Sequence, residues 1–221
     1  MSQPLGERVK VLNLYAGIGG NRKLWPAAVH VDAVELNQEI AAVYADLYPG
    51  DNVIVGDAHA YLKEHFSEYD FIWTSPPCQT HTSFRQNICV RFRGSEAEYP
   101  DMKLYQEIIF LQHNASCKWV VENVVPYYEP LIKGKVVQRH TFWSNFPIPG
   151  VDVEQENLRE IQIPELQALH GFDLSKYKLA NKRQVLRNCV DPELGRAIFD
   201  AAMSGAKQTR LFEAEAGAGV A

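Results

Sequence analysis

The chain has 221 residues, of which 46% are hydrophobic and 22% are charged, and its formal net charge is −5 at pH 7. These values are typical of a globular protein with one α/β domain, and they exclude a protein that binds nucleic acid over its whole surface. Any such binding requires a local basic patch. No apolar stretch is long enough to cross a bilayer, the N-terminus lacks a signal-peptide pattern, and the cysteines lack zinc-ligand spacing. We therefore expect a cytoplasmic protein with free thiols, no membrane contact and no metal ion.

Short apolar segments alternate with longer amphipathic segments over the first two-thirds of the chain. Strands are predicted at residues 9–14, 30–36, 52–55, 69–74 and 118–122, and helices at 21–28, 38–47, 58–66 and 102–115. Several strands are continuous apolar runs, which indicates burial on both faces. The alternation predicts an α/β fold with a mainly parallel, doubly wound sheet and a ligand crevice at the carboxyl ends of its strands.

The last third of the chain predicts one further strand and a closing helix. Residues 136–144 are typical of a late, antiparallel strand, and residues 191–203 are typical of a helix with Pro192 in its first turn. Residues 1–203 are therefore expected to form one catalytic domain. The small and polar residues 204–221 are expected to be a disordered tail.

A glycine-rich turn follows the first predicted strand, in the sequence Tyr15-Ala16-Gly17-Ile18-Gly19-Gly20. Glycines let the backbone approach a ligand closely, and the predicted helix that follows would present its N-terminus to that ligand. The spacing G-x-G-G differs from the dinucleotide fingerprint G-x-G-x-x-G. The turn therefore predicts a ligand site without specifying a nucleotide.

Carboxylates follow the next two predicted strands, at Glu35 and Asp57. An acid at the end of the second strand can accept hydrogen bonds from ribose hydroxyls, and an acid after the third could accept from an adenine amino group. Each acid could instead be a helix N-cap or a first-turn charge. Because the glycine turn and both acids end successive strands, together they favour an adenosyl ligand.

A cysteine, Cys78, follows two prolines at the end of the fourth predicted strand. Pro76 and Pro77 fix their own φ angles and favour extended neighbours, so a stiff loop should present the thiol. A single cysteine at such a position is also common as a small buried hydrophobe. Glu122 ends the fifth strand, beside the fourth, so a thiol and a carboxylate should face one pocket.

These motifs, with others later in the chain, resemble those of the DNA (cytosine-5)-methyltransferase family. The similar segments lie in the family's order between residues 9 and 199, and they are Tyr15-x-Gly17-x-Gly19, Pro76-Pro77-Cys78-Gln79, Glu122-Asn123-Val124, Gln138-Arg139-His140-Thr141-Phe142, Leu166-Gln167-Ala168-Leu169-His170-Gly171-Phe172 and Arg187-Asn188-Cys189-Val190. The resemblance implies a Rossmann-like class I methyltransferase fold with S-adenosylmethionine as the cofactor.

The resemblance also implies the reaction, which is methyl transfer to C5 of cytosine in DNA. Cys78 would add to C6 of the ring and make C5 nucleophilic, while Glu122 would assist at N3. Because neither group can reach a base inside a duplex, the cytosine must be flipped out of the stack.

Further site residues follow from the same resemblance. Relatives place an arginine against the base or the phosphate in the segment that matches 138–142, and either Arg139 or His140 could occupy that place here. Cofactor contacts are implied for Tyr15, Gly17, Gly19, Gly20, Glu35, Asp57, Pro76 and Asn188. The chain departs from the family at Arg187, which replaces a glycine and could pair with a surface acid or face the cofactor's carboxylate.

The largest departure is the lack of a target-recognition domain. Relatives insert one before the closing segment, whereas residues 146–163 leave room only for a vestigial loop. This favours a compact, phage- or prophage-like enzyme, of the kind used in restriction-modification. The segment 80–94 is then the candidate for DNA contacts, with an ordinary solvated loop as the alternative. The candidate DNA-binding side chains in or beside it are Gln79, Arg85, Arg91 and Arg93.

The tail carries a possible docking peptide. Gln208–Phe212 resembles the Q-x-x-L-F peptide with which bacterial proteins bind the sliding clamp, by burying two apolar anchors in a groove. Leu211 and Phe212 could instead pack back on the domain.

Three other functions share parts of this pattern. They are an exocyclic-amino methyltransferase, a catalytically silent nucleic-acid-binding protein, and the same chemistry on RNA or single-stranded DNA. An amino-methyltransferase has an aromatic residue after its two prolines, so Cys78 beside Glu122 argues against the first. The retained thiol and carboxylates argue against the second. The third stays open.

Overall fold

The computed structural model of the protein, which describes residues 8–150 and 161–216, has a seven-stranded sheet at its centre. Its strands are β1 (Lys10–Leu14), β2 (His30–Glu35), β3 (Asn52–Val55), β4 (Phe71–Thr74), β5 (Lys118–Val124), β6 (Lys135–Val137) and β7 (His140–Ser144). They lie in the order β3-β2-β1-β4-β5-β7-β6. Strands β1 to β5 are parallel, and β7 runs antiparallel to β5 and β6. The predicted Rossmann-like α/β fold, with a mainly parallel sheet and late antiparallel pairing, is confirmed.

Helices pack on both faces of this sheet and beside it. They are α1 (Gln38–Leu47), α2 (Ala58–His65), α3 (Lys103–Asn114), α4 (Ile163–His170), α5 (Lys182–Arg187) and α6 (Pro192–Ala216). Asn37 caps α1 by accepting hydrogen bonds from two backbone N–H groups, and Asp57 caps α2 by accepting from the N–H of His59. Of the predicted ligand acids, Glu35 is the last residue of β2 and Asp57 lies in the connection from β3 to α2.

Residues 21–28 form successive turns, so the predicted helix there is wrong. Pro26 lacks the N–H that a helix interior needs. Arg22 makes a two-pronged ion pair with Asp51, with N–O distances of 2.8 and 3.0 Å, and Trp25 donates its indole N–H to a backbone carbonyl of α6 at 3.1 Å. These buried tertiary contacts outweigh the weak helical preference of so short a segment. No helix N-terminus therefore follows the glycine turn in the described chain.

The two faces of the sheet bury separate apolar clusters. On one face α6 packs against β1, β4 and the preceding loops, and Trp25 stacks on Phe199 with 5.2 Å between ring centroids. On the other face α2 and α3 cover β1, β4 and β5. Neighbouring residues of β4, such as Ile72 and Trp73, are fully buried on opposite faces. This confirms the burial on both faces that the continuous apolar runs predict.

The segment 136–144, predicted as one strand, is a hairpin of β6 and β7. Gln138 and Arg139 form its two-residue turn, and Gln138 has a left-handed φ of 54°. His140 at the start of β7 pairs with Val124 at the end of β5. The turn therefore lies at the carboxyl edge of the parallel strands, next to the predicted pocket.

The end of the chain also differs from the prediction. Helix α6 continues to Ala216, beyond residue 203 where the sequence placed its end, so residues 204–216 are helical where a disordered tail was expected. Residues 151–160, most of the expected vestigial recognition segment, lie outside the described residues, as do 217–221. Across the described ranges no helix combines the length and apolar character needed to cross a membrane. No group of three or more potential metal ligands occurs in the same ranges.

Candidate active site

The loop after β4 is hydrogen-bonded to the end of β5 and to the residues that follow it. Asn123 donates a side-chain N–H to the carbonyl oxygen of Pro76 at 2.9 Å, and its own side-chain oxygen accepts from the next backbone N–H at 3.0 Å. Farther along, Thr82 forms an isolated β-bridge with Pro126. Because β4 and β5 are adjacent and parallel, these bonds hold Cys78 beside the carboxyl end of β5.

Cys78, Glu122 and Arg139 interact electrostatically at this edge. Burial raises the pKa of the Cys78 thiol to about 11, and the charge of Glu122 adds to the rise while Arg139 opposes it. Burial also raises the pKa of Glu122 to about 7, against a hydrogen bond from Ser75 and the charge of Arg139. The structure therefore brings the thiol and the carboxylate together, with a guanidinium group near both.

The hairpin turn places both Arg139 and His140 at this pocket. Arg139 donates from Nη2 to the carbonyl oxygen of Cys189 at 3.0 Å, and its charge acts on Cys78 and Glu122. Nε2 of His140 lies 3.5 Å from Oε1 of Glu122. Burial, followed by the charge of Arg139, lowers the pKa of His140 to about 3. The pocket thus holds Arg139 as its cation and His140 as a neutral imidazole.

The three glycines of the turn have different surroundings. A Cβ on Gly17, whose φ is +56°, would meet no atom within 4 Å. A Cβ on Gly19 would lie 2.4 Å from the ring of Tyr48, and one on Gly20 would lie 2.7 Å from the carbonyl oxygen of Val190. Gly17 therefore borders open space, whereas Gly19 and Gly20 allow close packing inside the protein.

The carboxylate of Glu35 is fixed next to Gly17. Its Oε2 accepts the N–H of Gly17 at 3.0 Å, and its Oε1 accepts the N–H of Asn37 at 2.8 Å. An ionised carboxylate has about four acceptor positions, so positions remain for ligand hydroxyls. Asp57 is exposed and caps α2, accepting from the N–H of His59 at 2.9 Å. Its N-cap role, one of the two interpretations open from the sequence, is the contact observed.

The other predicted cofactor residues lie around the same edge. Tyr15 follows β1 with a left-handed φ of 55°. Pro76 is buried beneath the Cys78 loop, and Asn188 is exposed at the end of α5, next to the Cys189 carbonyl that Arg139 contacts. The structure thus collects these side chains from the ends of β1 and β4 and from the closing segment.

The predicted DNA-contact segment is exposed, but one of its arginines is already paired. Arg85, at the start of a π-helical turn (Arg85–Val90), bonds to the carboxylate of Glu98. Arg91 and Arg93 are exposed, and within the described residues neither has an ion pair. Gln79 is exposed at the start of the short turn after Cys78.

Sequence reasoning missed one buried acid, Glu107. It is 1% exposed on α3, accepts the hydroxyl of Tyr15 at 2.6 Å and lies 2.9 Å from Nδ1 of His59. A single acid in an amphipathic helix usually faces solvent. The available signal is its spacing, since it lies three residues after Leu104 and four before Leu111 on the buried stripe.

A family profile described as C-5 cytosine-specific DNA methylase matches residues 9–127, which is more than half of the chain. The chain belongs to this family. The matched range includes the glycine turn, the Cys78 loop and Glu122, whose geometry is described above. The cofactor of the family is S-adenosylmethionine, and the open space at Gly17 beside the Glu35 carboxylate fits its adenosyl group.

Several solved structures resemble this chain over about half of its length. An S-adenosylmethionine-dependent methyltransferase from Agrobacterium tumefaciens is 18% identical, with a TM-score of 0.41, and the match covers 56% of this chain and 41% of that chain. A DNMT2 mutant from Spodoptera frugiperda is 26% identical, with a TM-score of 0.34 and coverages of 52% and 35%. A putative DNA modification methyltransferase from an Escherichia coli prophage is 21% identical, with a TM-score of 0.36 and coverages of 55% and 33%. This chain thus spans less than half of each of these chains, and no curated protein matches it.

Proposed function

We propose that this methylase transfers a methyl group from S-adenosylmethionine to C5 of a cytosine in DNA, through a transient bond between Cys78 and C6. The observation that carries the proposal is that the Cys78 loop and Glu122 lie at the carboxyl ends of adjacent parallel strands, joined by the Asn123–Pro76 hydrogen bond, where the charge of Glu122 raises the pKa of the Cys78 thiol. A pocket with a nucleophile and an acid on adjacent strands suits a flat ring that is attacked at C6 and protonated at N3. Such a ring must leave the duplex to enter it.

The two groups are coupled through their charges. Near neutral pH, Glu122 with a pKa of about 7 is partly protonated, whereas the Cys78 thiol with a pKa of about 11 keeps its proton. Protonation of Glu122 removes a negative charge that raises the thiol pKa, and Arg139 favours the thiolate. The pair can therefore reach the state in which a thiolate stands beside a neutral acid.

This state supplies both groups that the reaction needs. Attack by the Cys78 thiolate forms the Sγ–C6 bond, and the electrons displaced through the ring leave N3 basic, where it takes the proton of Glu122. S-adenosylmethionine supplies an electrophilic methyl group, which C5 of the resulting enamine accepts. Loss of the C5 proton to solvent breaks the Sγ–C6 bond and restores the thiolate, while N3 returns its proton to Glu122.

DNA that contains 5-fluorocytosine tests this function, because its C5 carries no proton to lose and the adduct accumulates. With labelled cofactor, the wild type should give a covalent protein–DNA complex and Cys78→Ala should give none. Cys117→Ala is the matched control, since Cys117 is a partly buried thiol whose pKa is also raised to about 11, before β5 at the far end of the sheet. A complex with Cys78→Ala, or methyl groups on an exocyclic nitrogen, would contradict the proposal.

Parts of the sequence interpretation remain proposals about substrate and partners. One proposal is that residues 79–93 contact DNA. Another is that residues 1–203 form a single catalytic domain with a vestigial recognition segment near 146–163. A third is a phage-like role in DNA modification. Clamp binding by Gln208–Phe212 is also a proposal, because the side chains of that segment lie outside those described. Parallel assays with duplex DNA, single-stranded DNA and RNA would identify the preferred substrate.

A further inference from the structure

Three elements converge on the buried carboxylate of Glu107 on α3. Its Oε1 accepts the hydroxyl of Tyr15 at 2.6 Å and lies 2.9 Å from Nδ1 of His59 on α2. Its Oε2 accepts the hydroxyl of Thr74, the last residue of β4, at 2.6 Å. The side chain of Glu107 has no exposed surface, and neither Cys78 nor Glu122 is among these contacts.

A structural role alone does not explain this acid. A carboxylate is costly to bury, and an apolar side chain on the buried stripe of α3 would fill the same space without that cost. His59 is the partner that can balance the charge of Glu107, and their hydrogen bond raises the pKa of His59. The cluster therefore places a buried hydrogen-bond acceptor at the ends of β1 and β4.

The group that this acceptor holds is Tyr15, and its conformation is strained. A left-handed φ of 55° is rare for an aromatic residue, and it persists only where the surroundings maintain it. Tyr15 stands two residues before Gly17, which borders open space and donates its N–H to Glu35. The hydrogen bond to Glu107 thus anchors the start of the turn that fits the adenosyl group.

We propose that Glu107 is a positioning residue for the cofactor, which holds the ring of Tyr15 and the left-handed turn in the arrangement that receives the adenosyl group. His59 balances its charge, and Thr74 fixes the orientation of its carboxylate. This inference rests on the cofactor site of the proposed function.

Calorimetric binding of S-adenosylmethionine to the full chain, without DNA, tests the inference. Tyr15→Phe and Glu107→Leu should each weaken binding about tenfold, because each removes the hydrogen bond between the Tyr15 hydroxyl and the Glu107 carboxylate. The double variant should bind no more weakly than either single variant, since both changes remove the same bond. Glu107→Gln keeps an acceptor for the phenol and should bind within about threefold of the wild type.

A similar cluster at the other end of the sheet provides the control. Tyr69 donates its hydroxyl to the buried carboxylate of Asp32 at 2.7 Å, and Nε2 of His30 lies 3.3 Å from the same carboxylate. Tyr69→Phe should lower the melting temperature and leave the cofactor affinity unchanged. A general loss of packing would weaken binding in this variant too, which would overturn the inference.

The remaining outcomes separate this inference from the proposed function. Wild-type affinity in Tyr15→Phe and Glu107→Leu, or losses that multiply in the double variant, would overturn the positioning role and leave methyl transfer intact. Coupled losses of cofactor affinity in a protein that methylates no cytosine would support the positioning role and contradict the proposed function.

Discussion

The acid at the centre of the pocket, Glu122, should weaken the folded state at alkaline pH. Burial raises its pKa from 4.5 to about 7, so the folded protein binds this proton more tightly than the unfolded chain. The stability that the folded protein gains from this tighter proton binding is therefore fully present below pH 4.5, and it is lost as the pH rises through 7. Glu122→Gln stays neutral, and it should exceed the wild type in unfolding free energy at pH 8 by about 3 kcal/mol.

Urea unfolding at pH 4 and pH 8 would measure this difference. The advantage of Glu122→Gln should disappear at pH 4, where both side chains are neutral. Glu64→Gln on the exposed side of α2 is the control and should show no such pH dependence. If Glu122→Gln instead destabilises the protein at pH 8, the carboxylate is better solvated than its burial indicates.

Two glycines of one turn should respond differently to the same substitution. Gly17→Ala has room for its Cβ but keeps a φ of +56°, so it should cost about 1 kcal/mol of stability and, if the proposed cofactor site is correct, weaken cofactor binding. Gly20→Ala places a Cβ 2.7 Å from the carbonyl oxygen of Val190 and 2.8 Å from Cβ of Cys189. It should cost about 1–3 kcal/mol by displacing that segment. Urea unfolding measures the stability of both variants, and cofactor titration measures their binding. If Gly17→Ala destabilises the protein more than Gly20→Ala does, Gly20 is not the more tightly packed of the two glycines.

The candidate catalytic residues lie in short motifs that the sequence shows, whereas the buried residue Glu107 lies in none. Cys78 and Glu122 belong to short motifs at strand ends, so their meeting was predictable once the strands were ordered. Glu107 belongs to no motif, because its partners are separated from it by tens of residues. The use of Asp57 as an N-cap was foreseen as an alternative, but only the hydrogen bond to the N–H of His59 distinguished it.

At the scale of elements, the segment after Cys78 should govern the salt dependence of DNA binding. Arg91 and Arg93 are exposed, whereas the charge of Arg85 is matched by Glu98. Each phosphate contact adds about −0.9 to the log–log slope of affinity against salt, so the Arg91→Ala/Arg93→Ala variant should flatten the slope by about 1.8. Fluorescence anisotropy with a labelled duplex at several salt concentrations measures it.

The paired arginine gives a test in the opposite direction. Glu98→Gln removes the charge that competes with phosphate for Arg85, so it should tighten DNA binding and steepen the slope by up to about 0.9. Lys63→Ala, an exposed charge change on α2, is the control. If the double arginine variant, Glu98→Gln and Lys63→Ala all show the wild-type slope of log affinity against log salt concentration, the DNA-binding surface lies elsewhere.

Elements with local signals were predicted, and elements shaped by distant contacts were not. Buried strands show continuous apolar runs, and α1 and α2 begin at polar caps, so both kinds of element have local causes. Residues 21–28 instead form turns because Arg22 and Trp25 bind partners far along the chain. The hairpin at Gln138 depends on the pairing of β7 with β5, which no local pattern in 136–144 encodes.

At the scale of the molecule, the last part of the chain closes the site that the first part begins. The carbonyl oxygen of Cys189 accepts from Arg139, and Gly20 packs against Val190. The carbonyl oxygen of Gly195 accepts the indole N–H of Trp25 at 3.1 Å. The doubly wound layout was predictable from the alternation of strands and helices. This closure was not, because contacts between the ends of a chain leave no periodic trace in its sequence.

Helix α6 should therefore unfold together with the sheet as one cooperative unit. Phe199 is 3% exposed and packs on Trp25 and Phe71, so Phe199→Ala should lower the unfolding free energy by about 3–5 kcal/mol. Ile109→Ala on α3 removes a side chain from a residue that is 51% exposed, and it should change stability by less than about 0.5 kcal/mol. Tryptophan fluorescence reports the packing of the four buried tryptophans, Trp25 among them, and circular dichroism reports all helices. Coincident urea transitions by both probes, shifted together in Phe199→Ala, are expected because α6 supplies one whole layer of the core. A fluorescence transition that precedes the loss of helix would show that the core around the tryptophans loosens before the helices unfold, and α6 and the sheet would then not be one cooperative unit.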